Sequence, residues 1–392
     1  MSQAFYRIMN VVGARPNMMK VAPLVAEMRH HPELQPVIVH TGQHYDYSMS
    51  QVFFEQLNIP EPDYNLEVGS ATHHAQTAEI IKRFGELVQQ DRPDMVLVVG
   101  DVNSTIACAL VGAKESIPVA HVEAGLRSFD RGMPEEINRV LTDSIADLLF
   151  TTEESGNQNL ANEGVGPDKV FFVGNLMIDS LVGAIEAARR SRLVSKLGLQ
   201  KRGYGVVTLH RPSNVDDSAQ LTATLAALAE VARGIPIIFP VHPRTRQKIL
   251  ASGFFATRSW DGETPITSNG MWMMPPASYL DFLGLVDSAA MVITDSGGIQ
   301  EETTYLGVPC LTYRNNTERP VTVTMGTNRL IGTEPAAILR HTEEILSGSP
   351  SRNGFGHKPP PLWDGHAAPR IVRALKEYLS SKKASPSMIV HA

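Results

Sequence analysis

The stretch DMVLVVGDVNSTIACAL, residues 94–110, decides the fold of this 392-residue chain. It opens with a short, continuously apolar run that ends at Gly100 and Asp101, and a segment with helical character follows. An apolar run without alternation of polar positions is typical of a strand buried on both faces, as in a parallel sheet covered by helices. The stretch therefore predicts one β-α unit of a parallel α/β sheet.

The same rhythm recurs along the chain and predicts twelve strands. Six lie in the first half, at 7–13, 36–42, 94–101, 118–123, 147–152 and 169–174. Six lie in the second half, at 204–210, 235–241, 266–274, 290–295, 308–313 and 328–332. Helical patterns fill most of the gaps, among them 17–30, 74–90, 134–146 and 217–233. We therefore expect the α/β class, with two Rossmann-like, doubly wound domains that face each other across a cleft.

Length also favours two domains, because single hydrophobic cores rarely grow beyond about 250–300 residues. We draw the first domain at residues 1–175 and the second at 176–366. The last predicted helix, 367–385, carries Ile371, Leu375 and Leu379 at helical spacing. An apolar stripe of this kind must be buried, so this helix is expected to complete the first domain.

Composition excludes several classes of protein. The formal net charge is −6, which disfavours general binding to nucleic acid. Cys108 and Cys310 stand far apart, which excludes a disulfide framework and suits a reduced, cytoplasmic protein. No apolar run reaches the length of a membrane span. We expect neither a nucleic acid nor a membrane as a partner.

Ligands of open α/β sheets bind at the carboxyl ends of the strands, so the residues that follow strands are candidate site residues. Asp101 and Glu123 both follow first-half strands, where partial desolvation tunes a carboxylate for proton transfer. Asp101 or Asn103 would equally serve as a helix N-cap. Glu135 and Glu136 lie in the first turn of a predicted helix, where the helix dipole alone favours a carboxylate.

The strand ends of the second half add a histidine and an anion site. His210 ends the first strand of that half. We expect it to lie across the cleft from Asp101 and Glu123. Ser296, Gly297 and Gly298 lead from a strand into a helix, whose free N–H groups suit a diphosphate, and Glu302 suits ribose hydroxyls. Further candidate substrate contacts, all basic side chains, are Arg15, Lys20, His242, Arg244 and Arg319.

Two kinds of cofactor lack support in the sequence. It has no G-x-G-x-x-G element for a nicotinamide and no His or Cys cluster for a metal, so we expect no cofactor and no metal. The residues alone indicate nucleotide-sugar chemistry with proton transfers, and they leave the reaction open.

Ten short motifs resemble, in the same order, those of the non-hydrolysing UDP-N-acetylglucosamine (UDP-GlcNAc) 2-epimerases. Between about residues 8 and 335 they read GARPNMMK, TGQH, GDVNST, HVEAGLRS, MPEEINR, GNLMIDSL, LHRPSNVDD, PVHPR, TDSGGIQEE and TERP. The resemblance implies a GT-B arrangement, a homodimer, a UDP-sugar substrate and reversible inversion at C2 to UDP-N-acetylmannosamine (UDP-ManNAc). The family route is anti elimination of UDP through a 2-acetamidoglucal.

The resemblance also assigns roles residue by residue. The family's acid/base carboxylates fall on Asp101, Glu123 and Glu135, and its site histidine falls on His210. Its contacts to uracil, ribose and phosphate fall on Arg15, His210, Ser296, Gly297, Gly298 and Glu302.

The chain departs from the family pattern at Asn17 and Pro212, and the second departure bears on regulation. Asn17 stands where many bacterial members have an acidic residue, and Pro212 stands where many have a second arginine. That arginine lies near the site at which UDP-GlcNAc activates bacterial members, and Gln43, His44 and Arg211 are the remaining candidate effector contacts. Three alternatives stay open: a 2-epimerase of another UDP-sugar such as a UDP-2,3-diacetamido-hexuronate, a GT-B glycosyltransferase, and a UDP-sugar sensor without activity.

Overall fold

The structure, a computed structural model, describes residues 5–42, 61–348 and 359–384. Contacts divide the chain into two compact units: unit 1 is Met1–Ser180 with Pro361–Ala392, and unit 2 is Leu181–Pro360. The domain boundaries that we drew from the sequence remain a prediction. No helix in the described ranges is long and apolar enough to cross a bilayer.

Unit 1 is built on a parallel sheet. Its seven strands are β1 (Tyr6–Val12), β2 (Leu34–His40), β3 (Tyr64–Asn65), β4 (Met95–Val99), β5 (Val119–Ala124), β6 (Leu148–Thr151) and β7 (Val170–Phe172). They lie in the order β3-β2-β1-β4-β5-β6-β7. The helices are α1 (Arg15–Met28), α2 (His73–Gln90), α3 (Asn103–Lys114), α4 (Pro134–Ile145), α5 (Glu154–Asn162), the first part of α6 (Leu176–Arg189), and α15 (Ala367–Ala384).

Unit 2 repeats this architecture after the end of α6. Its seven strands are β8 (Gly205–Thr208), β9 (Ile237–Pro240), β10 (Thr257–Ser259), β11 (Met271–Met274), β12 (Met291–Thr294), β13 (Cys310–Thr312) and β14 (Asn328–Leu330), in the parallel order β10-β11-β9-β8-β12-β13-β14. The helices are α7 (Leu193–Lys196), α8 (Pro212–Val215), α9 (Ser218–Val231), α10 (Pro243–Ala251), α11 (Tyr279–Ser288), α12 (Gly297–Leu306), α13 (Pro320–Thr324) and α14 (Pro335–Leu346).

Each sheet is covered by helices on both faces, which accounts for the continuously apolar strands. In β1, Ile8 and Val12 pack into one core of unit 1, and the intervening Met9 and Val11 pack into another. Alternate residues of a strand point to opposite faces, so both faces of the sheet are buried. The predicted α/β class with two doubly wound parallel sheets is confirmed.

All twelve predicted strands are present, and two strands were missed. β3 and β10 have two and three residues, YN and TRS, and lie at sheet edges. The strand predicted at 266–274 begins only at Met271. Edge strands this short and polar contain no apolar run, so no pattern in their sequence predicts them.

The end of the chain returns to unit 1. Ile371, Leu375 and Leu379 of α15 are buried in its core. The indole of Trp363 donates to the Thr152 carbonyl over 2.9 Å. Gly174 has φ +91°, and a Cβ there would lie 2.1 Å from the Leu362 carbonyl oxygen. Only glycine therefore permits this close approach of the returning segment.

Candidate active site

The candidate site residues follow strands at the switch point of each sheet. Chain order reverses between β1 and β4 in unit 1, and between β8 and β12 in unit 2. Open α/β sheets bind ligands at such points, beyond the carboxyl ends of the strands. In unit 1, Asp101 follows β4 and Glu123 ends β5, while in unit 2 His210 follows β8 and Ser296 follows β12.

Glu123 is a buried carboxylate with one cationic partner. Its side chain is 3% exposed, and Oε2 lies 2.5 Å from Nζ of the equally buried Lys20. Its Oε1 has no hydrogen-bond partner among the residues that the structure describes. The backbone φ of +69° is uncommon for a residue with a side chain, and such strain concentrates at functional sites. Glu123 can therefore exchange a proton at Oε1 while Lys20 holds its other oxygen.

Asn17 gives a structural account of one family departure. Its Oδ1 accepts from the N–H groups of Gly13 and Ala14 at 3.3 and 3.0 Å, and its Nδ2 donates to the Val99 carbonyl over 2.9 Å. An ionised carboxylate has no hydrogen to make that last bond. Here the amide ties the β1–α1 turn to the end of β4.

Asp101 is an ion-paired carboxylate rather than a helix cap. Its Oδ2 accepts from Nη2 and Nε of Arg139 at 2.6 and 3.0 Å, and its side chain is 28% exposed. The N-cap of α3 is Val102, and no side chain makes a cap bond there. The alternative in which Asp101 or Asn103 caps this helix is therefore wrong.

Glu135 and Glu136 open α4 with different surroundings. Glu136 is buried, accepts from the N–H groups of Ser128 and Phe129 at 2.9 Å each, and pairs with Arg139 at 2.6 Å. Glu135 is half-buried and makes no hydrogen bond or ion pair with the residues that the structure describes. Glu135 and Arg139 are spaced for an i,i+4 ion pair, but Arg139 turns instead to Asp101 and Glu136. Glu136 is held in a structural network, and the predicted acid/base role of Glu135 stays a prediction.

A buried network that sequence reasoning missed lies behind Asp101. His121 contacts Asp143 through Nδ1 at 2.6 Å and the Gly100 carbonyl through Nε2 at 2.9 Å. The ring is therefore held between a carboxylate and a backbone carbonyl, both of which accept hydrogen bonds. Burial by itself raises the pKa of Asp143, but His121 and Arg127 outweigh burial and lower it. The only sequence signal was the motif HVEAGLRS that contains His121 and Arg127.

In unit 2, His210 is paired with Asp295, which the sequence analysis did not count among the site residues. His210 Nδ1 lies 2.8 Å from Oδ1 of Asp295, with the histidine side chain 55% exposed and the aspartate 0%. Burial by itself raises the pKa of Asp295, but hydrogen bonds from His210, Asn214 and the Arg211 N–H outweigh burial and lower it. The place of Asp295 directly after a strand was the signal that could have found it.

The start of α12 is the place of the predicted anion site, which stays a prediction. Ser296 is its N-cap, and the hydroxyl makes no cap bond. A Cβ on Gly297 would lie 2.8 Å from Glu318 Oε1 and 2.9 Å from Arg319 Nη1, so a side chain here would have to displace the Glu318–Arg319 pair. N–H groups at the first turn of a helix have no partner inside the helix and attract anions.

Two further predicted contacts of unit 2 are buried against other side chains. Arg319 is 7% exposed and pairs with Glu301 at 2.6 Å and Glu318 at 2.7 Å. Burial and the Glu302 carboxylate raise the pKa of Tyr279 far above its ordinary value. The predicted roles of Arg319 and Glu302 in substrate binding stay predictions.

The other predicted contacts lie in different surroundings. His242 caps α10, where its ring accepts the Arg244 N–H, and the Arg244 guanidinium pairs with Asp216 at 3.0 Å. Arg211 Nε donates to the Asp295 carbonyl over 3.1 Å. For Arg15 the structure describes the backbone, at the start of α1, but not the side chain. Gln43 and His44 lie outside the described residues.

Comparison with known proteins extends these observations. The sequence model of the UDP-N-acetylglucosamine 2-epimerase family matches residues 26–376. A UDP-N-acetylglucosamine 2-epimerase homolog of Methanococcus maripaludis is 42% identical over 94% of this chain and 99% of its own. The UDP-2,3-diacetamido-2,3-dideoxy-D-glucuronate 2-epimerase of Pseudomonas aeruginosa is 40% identical over 83% of this chain and 88% of its own.

A solved structure agrees over nearly the whole chain. The UDP-GlcNAc 2-epimerase of Methanocaldococcus jannaschii, crystallised in complex with UDP-GlcNAc and UDP, matches with a TM-score of 0.84 and 38% identity. The match covers 95% of this chain and 99% of that one.

The fold is α/β, with candidate carboxylates near the switch point of the first sheet and a glycine-containing helix start at the switch point of the second. The chain belongs to the UDP-N-acetylglucosamine 2-epimerase family and is an epimerase. The resemblance stated from its motifs is confirmed.

Proposed function

We propose that the protein reversibly converts UDP-GlcNAc to UDP-ManNAc by inverting C2 of the sugar. Glu123 is the observation that carries the proposal. It is a buried carboxylate in a strained backbone conformation, with one oxygen held by Lys20 and the other without a partner in the described part of the chain. This is the environment of a proton-transfer group rather than of a structural ion pair.

The route is an elimination followed by an addition. A base takes the C2 proton, the C2–H electrons form the C1–C2 double bond, and UDP leaves from C1 with its bonding electrons. The products are 2-acetamidoglucal and UDP. A proton is then delivered to the opposite face of C2, and UDP adds back at C1. Two acid/base groups on opposite faces are required, and the candidates are Asp101, Glu123 and Glu135.

Unit 2 supplies the groups that stabilise the leaving UDP. The N–H groups at Gly297 and Gly298 and the uncapped hydroxyl of Ser296 suit its phosphates. Fixed donors of this kind act most strongly where charge develops, which here is the leaving diphosphate. His210 presents Nε2 from the adjacent strand end, and Arg15 is the candidate contribution from the start of α1.

Epimerisation of a UDP-2,3-diacetamido-hexuronate is the second candidate, favoured by the 40% identity to the Pseudomonas enzyme. Such a sugar carries an additional carboxylate at C6, which needs a cation. Lys20 is paired with Glu123, and Arg139 is paired with Asp101 and Glu136. These pairs support UDP-GlcNAc as the substrate.

A homodimer is proposed on the exposed apolar face of α4. Ile137 and Leu141 are 41% and 48% exposed there, beside Phe129 at 77%. They line a groove of about 950 Å³ together with Arg131, Lys169 and Glu163. An apolar patch of this kind marks an interaction site, and a lining with both charges suits contact between two copies of one surface.

We also place the enzyme in the cytoplasm. Cys108 and Cys310 are free and buried, and burial raises the pKa of Cys310 to about 11. Thiols in such surroundings are inert rather than reactive. Two lone thiols suit a reducing compartment.

Proton exchange at C2 tests the function directly. The enzyme is incubated with UDP-GlcNAc in heavy water, and the sugar is followed by NMR. Deuterium at C2 with a manno product supports the proposal, whereas binding or sugar transfer with C2 fully protonated contradicts it. A parallel incubation with the UDP-2,3-diacetamido-hexuronate compares kcat/KM for the two substrates. Glu123→Gln, which keeps the shape but loses the base, is the control and is expected to abolish exchange.

A further inference from the structure

We propose that Asp295 is a positioning residue for His210, which it holds with Nδ1 donating and Nε2 left open to act on the diphosphate side of the substrate. The inference rests on the proposed function, because it names what aligns the histidine of that site. His210 and Asp295 follow β8 and β12, which are adjacent parallel strands with Thr208 opposite Thr294. The two residues therefore leave the sheet side by side.

The hydrogen-bond pattern determines that the inner ring nitrogen of His210, Nδ1, carries a hydrogen. Asp295 is fully buried, with Oδ1 2.8 Å from His210 Nδ1. Its Oδ2 accepts from the Arg211 N–H at 2.9 Å and from Asn214 Nδ2 at 3.0 Å. A carboxylate surrounded by donors is an acceptor only, so the hydrogen toward His210 belongs to Nδ1. Neutral His210 then has a bare Nε2, and protonated His210 has an N–H there for an anionic oxygen.

The position of the pair connects it with the leaving group. Asp295 directly precedes Ser296, the N-cap of the anion-binding helix α12. His210 is more than half exposed, and its Nε2 makes no hydrogen bond with any described residue. The buried aspartate thus fixes the inner edge of the ring and leaves the outer edge beside the anion site. Small misplacements of such a group cost about 10²-fold in rate.

Histidine NMR on the unaltered enzyme is the first test. The protein is labelled with ¹⁵N in its histidines, and the His210 signals are identified by their loss in His210→Gln. A neutral ring with protonated Nδ1 and bare Nε2 is expected. A neutral ring with its proton on Nε2 overturns the proposal. This readout needs no turnover, so a failed C2 exchange assay overturns the proposed function and leaves the tautomer result standing.

Asp295→Asn is the second test. Its amide still accepts from the 211–214 loop, but it presents N–H to Nδ1, which moves the neutral His210 proton to Nε2. We expect kcat to fall on the order of 10²-fold. The matched control is Asn214→Ala, which removes a hydrogen bond from the loop to Asp295 and keeps the carboxylate. In this variant we expect the His210 tautomer to be unchanged and kcat to fall about tenfold or less.

A purely structural role for Asp295 makes a different set of predictions. It requires that kcat falls equally in Asp295→Asn and Asn214→Ala and that His210 has the same tautomer in both variants. That result overturns the proposal. If Asp295→Asn fails to fold, as judged by circular dichroism, the decision passes to the tautomer of the unaltered enzyme. The Nδ1–H form supports the proposal, and the Nε2–H form overturns it.

Discussion

At the scale of single residues, the neighbouring Glu135 and Glu136 at the start of α4 are expected to have different roles, the first in proton transfer and the second in stability. Glu136 accepts from Ser128 and Phe129 and pairs with Arg139, while Glu135 has no such partner among the described residues. We expect Glu135→Gln to lower kcat by about 10²–10⁴-fold with no change in the free energy of unfolding. Steady-state kinetics and urea denaturation measure the two quantities.

Glu136→Gln is the matched control for that prediction. It leaves a buried arginine and two N–H groups with a weaker acceptor, and losses of this kind cost about 1–3 kcal/mol. We expect a lower free energy of unfolding for Glu136→Gln. Full turnover in Glu135→Gln would instead return Glu135 to the role of helix-dipole partner.

Sequence reasoning identified candidate residues but not their partners. Asp101 and Glu123 follow from their place after strands, which is a local feature. The partner of Asp101 is Arg139, 38 residues along the chain, and the partner of His210 is Asp295, 85 residues along. These pairings depend on which strands become neighbours. A single sequence does not specify that order, so Asp295 and His121 were missed.

At the scale of elements, α15 depends on a cap supplied by α6. Asp179 accepts from the N–H groups of Ala367 and Ala368 at 3.1 and 2.8 Å. We expect Asp179→Ala to lower the free energy of unfolding by about 1–2 kcal/mol, the cost of a lost helix cap. Burial raises the pKa of Asp179 in spite of these donors. Asp179→Asn keeps one oxygen as an acceptor and should therefore lose less than Asp179→Ala, and equal losses in urea denaturation would refute the capping role.

The network that fixes the end of β4 carries a pH dependence. The pKa of Asp143 is lowered below its ordinary value of 3.8. The ionised carboxylate therefore contributes stability that is complete above that value and is lost as pH falls through the folded-state pKa. We expect Asp143→Asn to be destabilised by about 3 kcal/mol at neutral pH, since it breaks a buried pair, and to lose less further stability in acid.

Urea denaturation between about pH 6 and pH 3 measures that acid limb. Asp130→Asn, on an exposed loop before α4, is the control and should follow the unaltered protein throughout. A parallel acid limb for Asp143→Asn would show that other carboxylates govern the loss.

Prediction of elements succeeded where burial dictated the pattern. β4 and β12 are buried at every position, and a short, continuously apolar run bounded by turn residues is typical of such a strand. β3 and β10 exist only because β2 and β11 offer them a free edge. Their formation is a tertiary effect, which no local pattern carries.

At the scale of the whole molecule, the apolar face of α4 predicts the state of assembly. We expect the double variant Ile137→Lys, Leu141→Lys to be monomeric in light scattering, because two buried charges destroy an apolar interface. Val182→Lys changes an apolar residue of similar exposure on α6 and should remain dimeric. A dimeric double variant would move the interface elsewhere.

Regulation by substrate is the remaining property of the whole enzyme, and we expect it to depend on Pro212. Proline occupies the first turn of α8, where the family resemblance places a second arginine near the effector. The neighbouring Arg211 donates to the Asp295 carbonyl, and Arg244 pairs with Asp216, so each of these side chains is already engaged. Charge-assisted bonds to a diphosphate are about twice as strong as neutral ones, and allosteric coupling amounts to only about 1–3 kcal/mol.

We therefore expect the loss of one arginine to erase activation. Pure UDP-ManNAc should be converted without a lag, whereas Pro212→Arg should introduce a lag that a trace of UDP-GlcNAc removes. A lag of that kind in the unaltered enzyme would show that the effector site works without this arginine.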